Sequence, residues 1–457
     1  MYNILIAVVP IARTCPQTGP ALIKSYLESK GYSCKVLDWN IDLFNSIDIN
    51  DWDYINEKTS SYRTDNVLYL LDKYPEIFNR WIFEIKKINP KILGLSLFSL
   101  RFTFAFTKIL CEMIKKEIPG LKIILGGHAT KHLPKQLKEL LNKGLVDQIV
   151  RGEGEIATEK ILQGCKDIII ENENIKDLSK MPFADYYDLD LKQYPDDLIL
   201  IVGSRGCINH CHFCQRFSEK FRTRGGENIA EELLHHHINF GTKTFYLSDA
   251  CSNGNMEQFK IFVSKIDEYN SLGILPPIKW RTQLSCRSKE LMDEEIWKLM
   301  KKTGFDIIAF GLETGSERLR FEMGKRVKNE DAEFLFLQCL KNKIHVSVSM
   351  ICGYYTETEE DFNKTLKFLK KWAIEIPAIK EVFFGGLLNL EKGSYLYDNR
   401  DEIGIVIDKF GNWKYKENDF PFRYKRWLKM KKFLEDNDIK YIQRLEKMLQ
   451  DEMKKYE

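Results

Sequence analysis

The chain has 457 residues, 44% hydrophobic and 30% charged, with 69 lysines and arginines against 66 aspartates and glutamates for a net charge of +3. That is more length than one hydrophobic core usually holds, so two or three domains are expected. The charge balance gives no reason to expect a nucleic-acid or membrane-surface partner. No apolar run approaches the ~20 residues that span a bilayer, and the opening MYNILIAVVP reads as a strand rather than a signal peptide, so a cytoplasmic protein is expected.

Residues 1–155 alternate strand and helix. NILIAVVP, CKVLDW, KILGLSLFS, LKIILGG and VDQIVRGEGE are strand-like, and GPALIKSYLESKGY, NVLYLLDKYPEIFNRWIFEIKKI, FAFTKILCEMIKKEIPG and a stretch from Lys135 are helical between them. Apolar strands joined by helices predict a doubly wound, Rossmann-like parallel sheet, with ligands outside the carboxyl ends of its strands. Trp52, Tyr54, Tyr62, Trp81 and Phe83 read as core. Residues 156–196 are acidic, contain Pro182 and Pro195, show no sustained periodicity and read as a linker.

From residue 197 the alternation restarts. LILIVGS, TKTFYLSD, IKWRTQLS, FDIIAFGLE, HVSVSMICG and EVFFGG are six strand candidates, most of them separated by amphipathic segments such as EEDFNKTLKFLKKW. Six β/α units over 197–390 predict a partial, TIM-like parallel barrel with its functional groups on the loops after the strands. Residues 391–457 read as a helical tail, and the basic run FRYKRWLKMKKFLEDN as a solvated face. HHH at 235–237 also reads as a solvated helix face, because consecutive helical side chains diverge.

Eight of the eleven cysteines are scattered among apolar neighbours, as reduced core thiols are. The other three stand in GSRGCINHCHFCQRF, directly after the first strand of the second domain. A cubane of four irons and four sulfides normally takes four thiolates. Three thiolates leave one iron open, as catalytic metal sites keep a free position. Cys207, Cys211 and Cys214 can hold three corners from one loop, which Gly203 and Gly206 allow to bend. Zinc, with His210 or His212 as fourth ligand, fits the same spacing.

This C-x3-C-x2-C loop, with Phe213 before the last cysteine, resembles the signature of the radical S-adenosylmethionine (SAM) enzymes. SRGCINHCHFCQRF, FRTRGGENIAEEL, FYLSDACSNGN, RSKELMDEEIWKLMKKTGFDIIAFGLETGSERL and MICGYYTETEEDFNKTLKFL resemble, in order, successive segments of that family's core over roughly residues 198–375. The resemblance implies a [4Fe–4S] cluster on Cys207, Cys211 and Cys214 and SAM on the open iron. It assigns Phe213 to the cofactor loop, places Asp249 near the methionine amino end or the substrate, and sets Arg287 facing the methionine carboxylate. Glu313 falls where ribose hydroxyls are bound, a task that suits a carboxylate because it accepts two bonds. Gly353 and Glu357 fall beside the adenine, although Tyr354, Tyr355 and Thr356 depart from the family's glycine-proline-glycine. The resemblance assigns no further catalytic residue.

A doubly wound domain ahead of this core is similar to the cobalamin-binding subgroup of the family. Ser96 and Leu97 in GLSLFS, and Gly126 with Gly127 in ILGGHAT, resemble two elements of its cobalamin fold. The third, a D-x-H-x-x-G after the first strand, is replaced by PIARTCPQTGP, which argues against a histidine ligand from that loop. His128 reads as packing or capping. The resemblance implies a cobalamin-dependent methylation of an unactivated carbon. Its rivals are a rearrangement, cyclisation or oxidation on the same radical, and a non-catalytic zinc- or cluster-binding protein. A methylthiotransferase would bring three further cluster cysteines, a context that Cys15, Cys34 and Cys111 lack. The implied partners are a small-molecule or peptide substrate of unknown identity and an electron donor such as flavodoxin or ferredoxin.

Overall fold

All five residues of the first strand, Ile4–Val8, are buried, which requires helices on both faces of its sheet. The computed structural model describes all residues except 1, 12, 13, 53–63, 99, 133, 172, 385 and 444, and all side chains of those except 100–102. It divides into two units, Met1–Leu200 and Ile201–Glu457.

The first unit is a parallel sheet of β1 (Ile4–Val8), β2 (Cys34–Asp38), β3 (Ile92–Ser96), β4 (Lys122–Gly126), β5 (Gln148–Arg151) and β6 (Ile169–Glu171), in the order β2-β1-β3-β4-β5-β6. Successive strand residues face opposite ways. Leu5, Ala7, Leu93, Leu95, Ile123 and Leu125 pack on one face with Phe78, Trp81 and Phe106 of helices Pro75–Ile88 and Leu100–Glu117. Ile4, Ile6, Ile92 and Ile124 meet Leu27 and Ile161 of helices Thr18–Ser29 and Gly154–Leu162 on the other. The sheet is therefore doubly wound, as the alternation predicts. Trp52 and Trp81 are core, Phe83 is 65% exposed instead, and Tyr54 and Tyr62 lie outside the described residues.

Residues 156–196, expected to link two domains, mostly complete this one. The helix Gly154–Leu162 lies so close to Thr18–Ser29 that a Cβ on Gly154 would sit 2.6 Å from Ile23, and β6 extends the sheet. Beyond it the chain is pinned by side chains. The buried Lys24 ammonium lies 3.0 Å from Asp185 and 3.1 Å from Asp188, and the Tyr194 hydroxyl donates to Asp38 at 2.7 Å. Two of the acidic residues here, Asp185 and Asp188, are thus partners for Lys24 rather than solvated charges.

The second unit holds the six expected strands in sequence order. They are β7 (Ile199–Ile201), which crosses the unit boundary, β8 (Thr244–Leu247), β9 (Lys279–Gln283), β10 (Phe305–Glu313), β11 (His345–Met350) and β12 (Ile379–Phe383). A short β13 (Tyr441–Ile442) from the tail adds a seventh beside β12. From β8 onward neighbours pair in parallel, so the carboxyl ends of consecutive strands stand side by side. The barrel reading holds. No described helix is long and apolar enough to cross a membrane.

Two polar runs are not solvated faces. In the tail helix Phe420–Asp436, Arg423 and Arg426 are buried together with Trp427, Met430 and Leu434. The Arg423 guanidinium stacks 3.6 Å from the Trp413 ring centroid and donates to the Trp413 and Asn418 carbonyls, so its charge is covered without exposure. Within HHH, His236 is wholly buried, and the His237 ring contacts the Thr242 carbonyl at 2.9 Å.

Candidate active site

The three-cysteine loop leaves β7 and is pinched at its neck. Ser204–Arg205 pairs antiparallel with Arg222–Thr223, and Gly206, at φ +80°, passes so close to Lys220 that a Cβ would lie 2.4 Å from its carbonyl oxygen. Only glycine accepts both that dihedral and that contact. Asp249, after β8, pins the base of the loop. Its Oδ1 accepts the N–H groups of Gly203 and Ser204, each at 2.9 Å, and its Oδ2 accepts the Ser252 hydroxyl at 3.1 Å. Burial pushes the Asp249 carboxyl up to about 6 against the pull of those donors. Its lone pairs are spent on holding the loop.

The far side of the loop is clamped as well. The His212 N–H donates to the Met323 carbonyl at 2.8 Å, and the His212 carbonyl accepts the Leu396 N–H at 3.0 Å. Phe213 packs, half-buried, against the apolar cluster of Leu319, Met323, Tyr354 and Trp413. The His212 ring lies against Tyr395 at 4.7 Å, and His210 Nδ1 contacts the Phe217 carbonyl at 3.2 Å. Both histidines are thus engaged away from the thiols, which weakens the zinc reading.

Cys211 is buried, and Cys207 and Cys214 are half-buried. The N–H of Asn209 points at Cys207 Sγ and that of Arg216 at Cys214 Sγ, both at 3.4 Å. A hydrogen bond with Cys251, helped by the Asn209 N–H and Lys325, draws the Cys207 thiol down to about 6. Burial pushes Cys211 up to about 12, and the negative charges of Glu313, Cys214 and Cys207 add to it. Burial also raises Cys214. The three sulfurs are near enough to feel one another's charge. Among the described residues no three His, Cys, Asp or Glu side chains close on a point as one metal ion requires. A cubane, which offers each thiolate its own iron, suits a wider spacing.

Glu313 ends β10 in the left-handed region at φ 67°, a strained conformation of the kind kept at functional sites, where the ladder to β11 also slips register. Its Oε1 takes a 2.6 Å ion pair from Lys325. A Cβ on Gly311 would sit 2.4 Å from both atoms of that pair, so a side chain there would have to displace it. Burial alone would lower the Lys325 ammonium, but Glu313, Cys211 and Cys207 outweigh it and raise it. Lys325 therefore joins the carboxylate to the sulfurs. Sequence reasoning missed it, and the only signal was a lysine following a Met-Gly turn. Arg287, after β9, has its Nε buried with no hydrogen-bond partner, an unfilled donor that suits an anionic ligand group.

Gly353 and Glu357 meet the tail helix. A Cβ on Gly353, at φ +79°, would lie 2.5 Å from Arg423 Cγ. Its N–H donates to Glu357 Oε2 at 2.9 Å, and that oxygen pairs with Arg426 at 3.0 Å.

In the first unit, Ser96, Leu97, Gly126 and Gly127 meet at the carboxyl ends of β3 and β4. Ser96 is in register with Gly126, the Leu97 N–H donates to the Gly126 carbonyl at 2.8 Å, and a Cβ on Gly127 would lie 2.4 Å from the Leu97 oxygen. β3 also flanks the switch in strand order beside β1, where doubly wound sheets bind ligands. Around Gly126 an added Cβ would find only Val150, at 3.9 Å. His128 lies against Phe98, 6.3 Å between ring centroids.

Residues 201–369 match the family model of the radical SAM superfamily. The chain is 25% identical over 317 residues to an uncharacterized methyltransferase of Pyrococcus horikoshii, covering 64% of this chain and 66% of that protein. It is 25% identical over 282 residues to the bacteriochlorophyllide d C-12(1)-methyltransferase of Chlorobaculum tepidum, covering 58% and 59%. The matches thus span two thirds or less of these relatives' own length. Among solved structures, TsrM of Kitasatospora setae, a radical SAM methyltransferase with cobalamin and a [4Fe–4S] cluster bound, superposes with a TM-score of 0.63 at 15% identity over 88% of this chain and 79% of its own. OxsB, a cobalamin-dependent SAM radical enzyme, gives 0.62 at 15% identity over 87% and 55%. A radical SAM domain implies a [4Fe–4S] cluster and SAM, and the pinched three-cysteine loop, the unfilled Arg287 donor and the Glu313–Lys325 pair fit them. Residues 201–369 thus carry a radical SAM domain, and the chain shares its fold with TsrM and OxsB.

Proposed function

We propose that the protein is a cobalamin-dependent radical SAM methyltransferase that acts on an unactivated carbon. The observation that carries the reading is the pairing, in one chain, of a three-thiolate loop with a doubly wound unit whose small residues Ser96, Gly126 and Gly127 cluster at the strand ends. Such a surface lets backbone approach a large flat ring. When bound, the cluster and SAM supply a hydrogen-abstracting radical, and cobalamin supplies the methyl carrier.

The chain's own residues bind and orient. Cys207, Cys211 and Cys214 hold the cluster while Asp249 fixes the base of their loop. Arg287 offers its free Nε–H to the methionine carboxylate. Glu313 keeps one carboxylate oxygen on Lys325 and presents the other to the ribose hydroxyls. The tail helix closes over Gly353 and Glu357, excluding water from that flank.

Anaerobic reconstitution with iron, sulfide and hydroxocobalamin tests this. Formation of both 5'-deoxyadenosine and S-adenosylhomocysteine, with a product heavier by one CH2, supports methylation. Deoxyadenosine alone supports the rearrangement, cyclisation or oxidation instead.

A further inference from the structure

Two of the three loop cysteines carry a backbone donor on sulfur, the Asn209 N–H on Cys207 and the Arg216 N–H on Cys214, and the two donors are held differently. The Arg216 donor lies in a turn that the backbone closes by itself: the Cys214 N–H donates to the Cys211 carbonyl at 3.0 Å, and the Phe217 N–H to the Cys214 carbonyl at 3.1 Å. Residues 207–210 have no such closure. Among the described residues they make no backbone–backbone hydrogen bond. Side chains tie them instead. His210 Nδ1 meets the Phe217 carbonyl at 3.2 Å, and Asn209 Nδ2 donates to Ser285 Oγ, two residues past β9, at 2.7 Å.

Ser285 is a fixed anchor. The wholly buried Asn253, after β8, grips its backbone from both sides: Oδ1 accepts the Ser285 N–H at 2.9 Å, and Nδ2 donates to the Ser285 carbonyl at 2.8 Å. The Ser285 hydroxyl also lies 3.0 Å from Cys251 Sγ, and the Cys251 thiol is aimed at Asn253 Oδ1 at 3.5 Å. An amide NH2 only donates, so Ser285 Oγ accepts from Asn209 and gives its single proton to the Cys251 sulfur.

We infer that Asn209 is a positioning residue for the cluster: its side chain, anchored on Ser285, keeps its own N–H on Cys207 Sγ, and that donor raises the reduction potential of the cluster. A cluster-bound Cys207 is a thiolate, and a charged acceptor strengthens the bond. Reducing the cluster adds negative charge that its thiolates share, so a donor on sulfur stabilises the reduced state more than the oxidised one. The inference rests on the cluster assigned to Cys207, Cys211 and Cys214, not on cobalamin or methylation.

The test uses the full chain, reconstituted anaerobically with iron and sulfide. Iron and sulfide per chain are measured first, then the potential, by redox titration followed through the EPR signal of the reduced cluster. Wild type, Asn209→Ala, Ser285→Ala and Ser285→Thr should carry equal iron. In Asn209→Ala the reduced-to-oxidised ratio at a fixed poise should fall about threefold, a shift of ~28 mV on a scale where tenfold is 59 mV for one electron. Ser285→Ala should move the potential the same way, and Ser285→Thr, which keeps the hydroxyl, should hold the wild-type value. Because both residues act through one bond, the double alanine variant should shift no further than the larger single one. If Asn209→Ala does not fill with iron, Ser285→Ala, which leaves the loop sequence intact, decides by the same shift. A wild-type potential in Ser285→Ala overturns the inference, whatever Asn209→Ala does, and so do additive shifts in the double variant. A wild type that binds no cluster sinks the cluster assignment, and this inference with it, before any variant is compared.

Discussion

Arg426→Met tests how the tail helix is held over residues 353–357. Arg426 and Glu357 pair at 3.0 Å with both side chains almost fully buried. Burial pushes the Glu357 carboxyl from 4.5 up to about 7, against the pull of Arg426 and the Gly353 N–H. Because the folded value lies above the unfolded one, the folded protein keeps a proton that the unfolded chain has lost between those two pH values. Stability falls across that window by about 3 kcal/mol and is flat above it. Without Arg426 the carboxyl rises further, and the fall continues above pH 7 at about 1.4 kcal/mol for each unit until the new value is reached. At pH 6 Glu357 is mostly neutral in both proteins, and the variant loses only packing and the bonds from Arg426 to the Glu357 carbonyl and Glu359. Asp249 and Asp38, both pushed up to about 6 by burial, titrate alike in both proteins and cancel. The destabilisation should therefore be larger at pH 8 than at pH 6 by about 1 kcal/mol, or ~2–4 °C in Tm for a unit of this size. Thermal and urea denaturation at pH 6, 7 and 8 measure it, and Glu357→Gln/Arg426→Met should lack the pH dependence. An equal destabilisation at pH 6 and pH 8 would refute the reasoning.

Alanine at Cys207, Cys211 or Cys214 should strip most iron from the reconstituted protein and abolish 5'-deoxyadenosine formation, as iron assay and chromatography would show. Gly206→Ala meets the Lys220 carbonyl at 2.4 Å from a positive φ. The left-handed conformation alone costs ~1–2 kcal/mol, so the neck of the loop should open and cluster retention should drop while β8–β12 stay folded by circular dichroism. Arg287→Met should keep full iron but weaken SAM at least about tenfold, the loss of one charge-assisted bond of ~1.5 kcal/mol, read from the SAM-induced change in the cluster EPR spectrum. Gly127→Ala drives a Cβ into the Leu97 carbonyl and should reduce hydroxocobalamin retention without changing iron content.

The strands of both units were legible because their signal is local: short apolar runs, bounded by turns and separated by helices of the right length. The cysteine loop was legible for the same reason, since its three cysteines lie within eight positions. The expectations that failed depended on distant partners. Residues 156–196 looked like a linker because their apolar content is low, yet Asp185, Asp188 and Tyr194 are fixed by Lys24 and Asp38, more than 150 positions earlier. In the tail, Arg423, Trp427, Met430 and Leu434 do form a stripe at helical spacing, but the charge hid it. A guanidinium can join such a stripe when an aromatic face and backbone carbonyls receive it, as Trp413 and Asn418 receive Arg423.

The site itself divides along the same line. Consecutive parallel strands put Cys207, Asp249, Arg287 and Glu313, from the loops or ends of β7 to β10, on the same edge of the sheet. The order of the segments alone therefore gives each residue its place. It does not give the pairings, because those depend on side-chain reach across neighbouring strand ends. Lys325 turns back twelve residues onto Glu313, and Cys251 reaches Ser285 after the next strand. Gly311 carried the one local trace of the first pairing. A glycine in the middle of a strand is unfavourable unless something must come close, and the Glu313–Lys325 pair occupies the space its side chain would fill. The second left no such trace, since a cysteine among apolar residues looks the same whether its thiol is idle or meets a hydroxyl on the neighbouring strand end.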